Sequence, residues 1–398
     1  MRLVHLSDLH LGYRQYQRLT PGGVNQREAD VAKTFTAAID KVVALAPDVV
    51  LVAGDVFHSV RPSNQAILHA FKQFDRLARA LPDAVVVVVA GDHDTPRSTE
   101  VGGILPLLRE VAPNVQVVDR EPRALRFEQM GLSVFAVPGA PGPLPSLKPD
   151  AAARYNVLVL HGNLTGMVSS QIDAADPAAV QVSRADIDPS RWNYVALGHY
   201  HVFREIAANA FYSGSLDYTS VNTWGELDEA RQARLPGKGF VEFDLDSGTH
   251  HFHHVPPARA LHDVYPPVSA RGLTVAELDE RIRAAVDACP GGIDDKIVRL
   301  RVLDVARHIA RELDHRALRE YKRRAVNFQL DLRRPDIVPL NQGAAPGRRA
   351  SLPEMVRAHL ETRTIDADID RQELIDRGVG YLEQAERALA PVAGASEN

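Results

Sequence analysis

The feature that most constrains this chain is a run of five valines that ends in a turn and a cluster of polar groups. Val85–Val89 is followed by alanine and glycine, and then by Asp92, His93 and Asp94. An uninterrupted run of β-branched residues predicts a strand that is buried on both faces, as in a parallel sheet. Sheets of this kind gather their active sites at the carboxyl ends of the strands. Taken alone, the stretch fits a polar turn that caps a core strand equally well.

The same design recurs at four other predicted strands. The polar groups that follow them are Asp8 and His10, Asp55 and His58, His161, and His199 and His201. Apolar residues at helical spacing predict helices over 28–45 and 64–81, between the first three strands. This alternation predicts a parallel sheet whose strand ends share one crevice. The second half has more strands than helices, which favours an α/β (α+β) fold with a mixed sheet or a sheet doubled into a sandwich.

Composition places the chain among globular proteins. Hydrophobic residues make up 45% of the 398 positions and charged residues 24%, and no apolar run approaches the ~20 residues that span a bilayer. The single cysteine, Cys289, excludes an internal disulfide framework and a cysteine metal site. We therefore expect a cytoplasmic protein without a membrane segment. The net charge of −5 argues against a broad basic surface, although bound cations can supply positive charge locally.

Changes in pattern along the chain predict several parts. A small α+β domain follows the catalytic region, with a half-exposed strand at 297–303 and a charged helix at 307–324. Capping-box patterns begin at Thr274, Ser351 and Asp370. The predicted divisions are a domain at 1–257 that contains the polar strand ends, a small α+β domain at 258–334, a Pro- and Gly-rich linker at 335–350, and a helical segment at 351–390 whose apolar groups favour docking.

The concentration of carboxylates and imidazoles at the strand ends predicts a metal site. Left unpaired in one crevice, these groups would be electrostatically costly, and two divalent cations would remove that cost. Oxygen and nitrogen ligands without thiolate suit manganese, iron or zinc. Mn²⁺ is our first choice, with Fe, Zn or Mg as alternatives.

The motifs as a set resemble the calcineurin-like metallophosphoesterases. The matching motifs, in order, are Asp8-x-His10, Gly54-Asp55-x-x-His58, Gly91-Asp92-His93-Asp94, His161 and Gly198-His199-x-His201. The longer stretches His5–Gly12, Ala53–His58 and Tyr212–Leu216 are similar to SbcD-type DNA repair exonucleases. The resemblance covers residues 1 to about 220 and is looser beyond 260. It implies a two-sheet sandwich flanked by helices as the nuclease domain at 1–257, with the small α+β domain at 258–334 as a capping domain and the helices at 351–390 as a partner-docking segment.

The resemblance also implies a role for each site residue. Asp8, His10 and His201 would hold one metal, Asp55 would bridge both metals, and Asp92, His161 and His199 would complete the second. His93 would act as general acid or transition-state stabiliser, oriented by Asp94. His58 would lie near the scissile phosphate.

The implied activity is hydrolysis of phosphodiester bonds in DNA, as an exonuclease or endonuclease that depends on two metals. An SbcC-type ATPase would dock on the C-terminal helices. The 64–81 helix would contribute to a homodimer, although packing on the sheet explains its apolar stripe equally. A phosphoesterase for another substrate carries the same metal motifs and stays an alternative. A scaffold that retains the fold without catalysis is a second alternative, which the complete set of ligand types disfavours.

One position departs from the family motif, which has asparagine where this chain has Asp92. Two divalent ions bring four positive charges, of which Asp8, Asp55 and a bridging hydroxide cancel three. Asp92 would cancel the last. A less positive site should hold metal more tightly, attract a phosphodiester less and activate water less, so we expect either an altered metal preference or weakened hydrolysis.

Overall fold

The computed structural model describes residues 1–96, 102–140, 142, 144–167, 180–335, 351–363 and 370–389. The chain divides into two compact units, Met1–Pro335 and Asp336–Asn398. The predicted boundary at 257/258 stays a prediction, and the predicted linker at 335–350 lies, apart from Pro335, outside the described residues.

Among the described residues, every strand lies in the first unit. In chain order they are β1 (Arg2–Leu6), β2 (Val49–Ala53), β3 (Val85–Val89), β4 (Val115–Val118), β5 (Arg123–Phe127), β6 (Leu132–Val137), β7 (Tyr155–His161), β8 (Asn163–Leu164), β9 (Gln181–Val182), β10 (Tyr194–Gly198), β11 (Arg204–Ala207), β12 (Ala210–Tyr212), β13 (Gly239–Asp244), β14 (His250–His254), β15 (Leu261–Ser269), β16 (Ile297–Leu303) and β17 (Asn327–Leu332).

The α-helices occur in both units. In chain order they are α1 (Gln26–Leu45), α2 (Asn64–Ala80), α3 (Arg184–Ile187), α4 (Thr223–Gln232), α5 (Val275–Asp287), α6 (Arg307–Glu312), α7 (His315–Arg324), α8 (Leu352–Thr362) and α9 (Arg371–Leu389). Among the residues described, no helix combines the length and the apolar character that a membrane crossing requires.

Two six-stranded sheets form the body of the first unit. The first has the order β14-β13-β1-β2-β3-β4 and the second β11-β12-β10-β7-β6-β5. β1 to β4 are parallel and β13 runs antiparallel to β1, so the first sheet is mixed. The second is also mixed, because β7 pairs in parallel with β6 and β10 whereas β5 and β11 are antiparallel to their neighbours. The predicted α/β sandwich is confirmed.

The valine run is unbroken because both faces of β3 are covered. Val86 and Val88 pack with the apolar stripes of α1 and α2, which include Phe35. Val87 and Val89 pack in a separate cluster with the second sheet. Alternate side chains therefore enter two different cores, and neither face of the strand accepts a polar residue.

A third sheet, β15-β16-β17, is wholly parallel and packs with α5, α6 and α7. The predicted half-exposure of 297–303 is wrong, because β16 is the central strand and is mostly buried. Its Arg299 is only 8% exposed, since the guanidinium donates two hydrogen bonds of 2.9 Å to the carboxylate of Asp263.

The predicted single helix at 307–324 is also wrong. The chain breaks before Asp314, whose side chain caps α7.

Capping interactions define the helix starts that the sequence predicted. Thr274 and Glu277 form a reciprocal capping box at α5, and Ser351 and Glu354 form another at α8. In the second unit, Arg371 donates to main-chain carbonyls at the end of α8, including that of Glu361 at 3.1 Å. This contact satisfies orphan carbonyls and holds α9 against α8.

Candidate metal centre

The predicted site residues lie at the ends of five strands that come from both large sheets. Asp8 and His10 follow β1, and Asp55 follows β2. In the second sheet, His161 is the last residue of β7 and His199 follows β10 directly. The sandwich therefore brings both sets of strand ends to one rim, as the motif pattern predicted.

The backbone at this rim is held in the left-handed region at non-glycine residues. Asp8 has φ 52°, His10 46° and Asp55 53°. Such conformations are costly for residues with a Cβ and persist where surrounding hydrogen bonds impose them. Here the Asp8 amide donates to the Gly54 carbonyl at 3.0 Å and the His10 amide donates to the Asp55 carbonyl at 2.9 Å. The two loops thus fix each other and aim their polar side chains inward.

Two of the motif glycines are required by close approach. A Cβ at Gly91 would lie 2.0 Å from Asp55 Oδ1, and a Cβ at Gly54 would lie 2.2 Å from His161 Nδ1. Neither contact is possible for a side chain. These glycines therefore allow the loops to close around the carboxylate and the imidazole.

The first group of potential ligands consists of Asp8, His10 and His201, whose ligand atoms all lie within 4.8 Å of one another. The Nε2 atoms of the two histidines are 3.0 Å apart. The Ser7 hydroxyl donates to Asp8 Oδ2 at 2.5 Å and itself lies 2.8 Å from the Ser213 hydroxyl. The carboxylate is thereby oriented before any cation binds.

The second group consists of Asp92, His161 and His199, again within 4.8 Å of one another. Asp92 Oδ1 lies 2.8 Å from His161 Nε2 and 3.3 Å from His199 Nδ1. The other ring nitrogen of His161 lies 2.9 Å from the Ala53 carbonyl. A proton on that nitrogen leaves the Nε2 lone pair for a ligand.

Asp55 lies between the two groups. Its Oδ2 is 3.7 Å from His10 Nε2 and 3.6 Å from His161 Nε2. It belongs to one potential ligand set with Asp8 and His161 and to another with Asp92 and His93. This carboxylate is therefore placed to contact cations on both sides.

The protein groups alone leave this centre electrostatically unbalanced. Burial raises the pKa of Asp55 well above its usual range, and the neighbouring Asp92 and Asp8 raise it further against the opposing effect of His161. Burial and the nearby His201 hold the pKa of His10 well below its usual range. His199 Nε2 is buried and has no hydrogen-bond partner among the residues that the structure describes. Divalent cations fit this donor set of oxygen and imidazole nitrogen, because they neutralise the carboxylates and accept the lone pairs.

The three predicted catalytic residues lie beside these groups. His93 is 40% exposed at its side chain, and its Nδ1 lies 2.7 Å from the His58 carbonyl. The His58 and His93 rings stack with centroids 5.1 Å apart. The hydrogen bond that orients His93 therefore comes from the main chain of His58 and not from Asp94, the partner that the sequence analysis expected.

Asp94 supports the loops instead. Its carboxylate accepts from the main-chain amides of Val56 at 3.0 Å, Phe57 at 2.8 Å and Gly91 at 3.0 Å. Burial raises the pKa of Asp94 to about 6, although these three amides oppose the shift. Asp94 thus joins the loop after β2 to the loop after β3.

Comparison with known proteins identifies the family. The family of calcineurin-like phosphoesterases matches residues 1–203, slightly more than half of the chain. The chain belongs to the calcineurin-like phosphoesterase family. The fold, the motif order and the clustered ligand types agree with this assignment.

Among individual proteins, this phosphoesterase is similar to proteins called DNA double-strand break repair protein Mre11. It is 28% identical to that of Methanococcus maripaludis over 258 residues, which are 62% of this chain and 63% of the relative. It is 31% identical to that of Sulfolobus acidocaldarius over 211 residues, which are 52% of this chain and 50% of the relative. The chain thus spans one half to just under two thirds of these relatives. The resemblance to a DNA repair family that the motifs predicted is confirmed.

Sequence reasoning missed a buried ion pair behind the phosphoesterase centre. Glu226 on α4 contacts Lys238, and Glu226 Oε1 lies 3.3 Å from His201 Nδ1. Burial opposes ionisation, but Lys238 and the hydrogen bond from His201 lower the pKa of Glu226 to about 2. No local motif marks either residue, because their proximity depends on how α4 folds over the centre.

Proposed function

We propose that this phosphoesterase hydrolyses phosphodiester bonds in DNA with two divalent cations, as the nuclease subunit of a double-strand break repair complex. The observation that carries the proposal is the arrangement of the donors. Asp8, His10 and His201 form one group, and Asp55 connects it to a second group at the same rim. Two cations in such a pair of groups suit phosphodiester hydrolysis.

Each residue has a proposed part. Asp8, His10 and His201 would hold one cation, Asp92, His161 and His199 would hold the other, and Asp55 lies between the two groups. The cations, with Mn²⁺ as the first choice, supply the Lewis acidity that polarises the phosphate and activates water. The protein supplies fixed ligand directions, since the strained loops and the Ser7–Asp8 hydrogen bond at 2.5 Å set them in advance.

His93 is the proposed general acid. Its Nδ1 donates to the His58 carbonyl at 2.7 Å, which fixes the plane of the ring and leaves Nε2 to transfer a proton to the leaving oxygen. Its side chain is 40% exposed, whereas those of His10 and His161 are essentially buried. His93 is therefore accessible to an incoming phosphodiester, unlike His10 and His161.

DNA is the proposed substrate because the similar relatives are DNA double-strand break repair proteins. The test compares duplex ends, single-stranded DNA and a small aryl phosphodiester in the presence of Mn²⁺. Metal-dependent cleavage of DNA by the native chain supports the proposal. Cleavage of the aryl phosphodiester alone would favour a phosphoesterase for another substrate. If metal analysis finds no cation bound to the chain in buffer that contains Mn²⁺, the scaffold alternative is favoured.

An SbcC-type ATPase is the proposed partner of the second unit. α8 and α9 expose large apolar side chains, including Met355 at 53% and Tyr381 at 70%. Exposed apolar groups on a short helix pair are typical of a docking surface. Co-purification of the two subunits, with Met355→Asp expected to abolish it, tests this assignment.

A homodimer through α2 is also proposed. Leu68 on that helix is 58% exposed, while Phe74 and Leu77 on the same helix pack in the core. Light scattering of the purified chain measures the mass directly. Leu68→Asp is expected to convert a dimer into a monomer without lowering the melting temperature.

A further inference from the structure

A buried ion pair lies directly behind one of the proposed metal ligands. The Glu226 side chain is 0% exposed and that of Lys238 is 3% exposed. The two side chains contact each other, and neither belongs to the residue groups that could hold a cation. Burying two charges is costly unless further hydrogen bonds satisfy them. Such a pair at a functional centre therefore calls for a specific role.

The hydrogen bonds of the Lys238 ammonium go to one small region. Its Nζ donates to the carboxylate of Glu226, to the main-chain carbonyl of His201 at 2.7 Å and to the Ser215 hydroxyl at 2.9 Å. An ammonium group has three protons, so these acceptors use its full capacity. Lys238 thus holds both the main chain of His201 and the carboxylate that faces the ring of His201.

The carboxylate of Glu226 is equally occupied. Its Oε1 accepts from the Ser220 main-chain amide at 2.9 Å and lies 3.3 Å from His201 Nδ1. Its Oε2 accepts from Lys238. The ring of His201 therefore meets a carboxylate whose position is set by two independent donors.

This contact decides which nitrogen of His201 carries the proton. When Nδ1 donates to Glu226, the lone pair is on Nε2. Nε2 is the atom that lies 3.0 Å from His10 Nε2, within the group that includes Asp8. Partners of this kind on the distal nitrogen fix the tautomer and orientation of a metal-binding histidine.

We propose that Glu226 and Lys238 are positioning residues that fix His201 as the tautomer protonated on Nδ1 and thereby set the affinity of the Asp8–His10–His201 group for a divalent cation. The inference rests on the proposed function only in assuming that this group binds metal. The inference concerns only the Asp8–His10–His201 group. In the Asp92–His161–His199 group, the distal nitrogen of His161 faces the Ala53 carbonyl instead of a carboxylate.

The same helix offers a matched control. Asp228 also lies on α4, but its carboxylate contacts Arg299 of β16 at 3.2 Å. Asp228→Asn therefore removes a carboxylate from α4 and disturbs its packing on the third sheet. It leaves the contacts of Glu226 with His201 in place.

The experiment titrates the 398-residue chain with Mn²⁺ by calorimetry. Glu226→Gln is expected to weaken one of two binding events by roughly tenfold to one hundredfold, the usual effect of removing an outer-shell partner. In Glu226→Gln, the affinity of the other binding event should equal that of the native chain. In Asp228→Asn, both affinities should equal those of the native chain. Equal affinity of Glu226→Gln and the native chain for both cations would overturn the inference, and so would equal weakening of both events.

A double variant separates positioning from simple destabilisation. Glu226→Gln alone leaves the Lys238 ammonium buried without its counter-ion, whereas Glu226→Gln/Lys238→Met removes both charges. The double variant should regain thermal stability and still bind one cation weakly. A return to native affinity in the double variant would show that strain caused the weakening, and would overturn the inference.

The tautomer itself gives a spectroscopic readout. In the metal-free chain, kept in chelator, ¹⁵N spectra of the histidine rings should show Nδ1 of His201 protonated, with His201→Gln used to assign the signal. Loss of that proton signal in Glu226→Gln supports the inference, and an unchanged signal contradicts it.

Absence of cation binding to the native chain would overturn both this inference and the proposed function. Intact cation binding without DNA cleavage would count against the proposed function alone.

Discussion

The Nε2 atoms of His10 and His201 lie 3.0 Å apart in the interior of the centre, with Asp8 in the same group. Two neutral imidazoles hold this contact by an N–H···N hydrogen bond only when one of them carries its proton on Nε2. When both rings carry the proton on Nδ1, the two Nε2 lone pairs face each other and a divalent cation would accept both. The contact is thus unfavourable for two rings protonated on Nδ1 and favourable for a cation.

Cation binding should therefore stabilise the fold. At a free Mn²⁺ concentration one hundred times the dissociation constant, each occupied site should raise the free energy of unfolding by about 2.7 kcal/mol. Thermal or denaturant unfolding in Mn²⁺ and in chelator measures the difference. His10→Ala removes one ligand and should reduce the Mn²⁺-dependent increment, whatever it does to the stability in chelator. An increment of the same size in both chains would contradict the assignment of His10.

His93→Ala should separate proton transfer from metal binding. Removal of a positioned general acid typically lowers the rate roughly 10²- to 10⁴-fold. The His93 side chain is half-buried beside Asp92, whose Oδ2 lies 3.9 Å from its Nε2, but the predicted ligand groups at Asp8 and Asp92 are complete without it. We expect DNA cleavage to fall by this factor while the metal content of the same samples stays constant. Undiminished cleavage would refute the role of His93.

Asp92→Asn should reveal what the extra carboxylate does. Asparagine keeps an oxygen that can face His161 and His199, as Asp92 Oδ1 does at 2.8 and 3.3 Å, but it removes one negative charge. A single charge at about 4 Å is worth several kcal/mol at an intermediate dielectric constant, so Mn²⁺ affinity should fall roughly tenfold or more. We expect turnover at saturating Mn²⁺ to rise, because a more positive centre attracts the phosphodiester and activates water more strongly. Equal turnover of the two chains would show that Asp92 does not limit hydrolysis.

The residues at the rim were predictable because each lies at the end of a strand or within a few residues after it. Asp55 and His161 occupy different sheets, yet the motif order was sufficient to place both in one site, since strand ends share an edge. The valine run at 85–89 was equally informative, because only a strand covered on both faces tolerates it.

Contacts between distant elements were not predictable in this way. Alternating charges made Arg299 appear to belong to a half-exposed strand, whereas Asp263 pairs with it and allows its burial. Glu226 and Lys238 carry no local signal, because a charged residue on a helix or before a strand is normally solvated. Their role depends on the packing of α4 over His201, which no sequence period encodes.

Buried His5 should make the stability of the fold depend on pH. Its Nδ1 lies 3.1 Å from the Tyr194 hydroxyl, and burial lowers the pKa of His5 to about 3. The unfolded chain has the ordinary histidine pKa of about 6.5, so between these values the unfolded state binds a proton that the folded state does not. The free energy of unfolding therefore falls as the pH drops below about 6.5, by about 2 kcal/mol at pH 5.

His5→Asn removes this titration and keeps a small polar side chain beside Tyr194. In chelator, the native chain should lose about 2 kcal/mol more stability between pH 7.5 and pH 5 than His5→Asn does, as measured by denaturant unfolding. Tyr194→Phe serves as the control, because it removes the hydroxyl partner but retains the buried imidazole, and so should keep the native pH dependence. Identical pH dependence of the native chain and His5→Asn would mean that His5 becomes protonated within the fold, and that its burial does not oppose the charge.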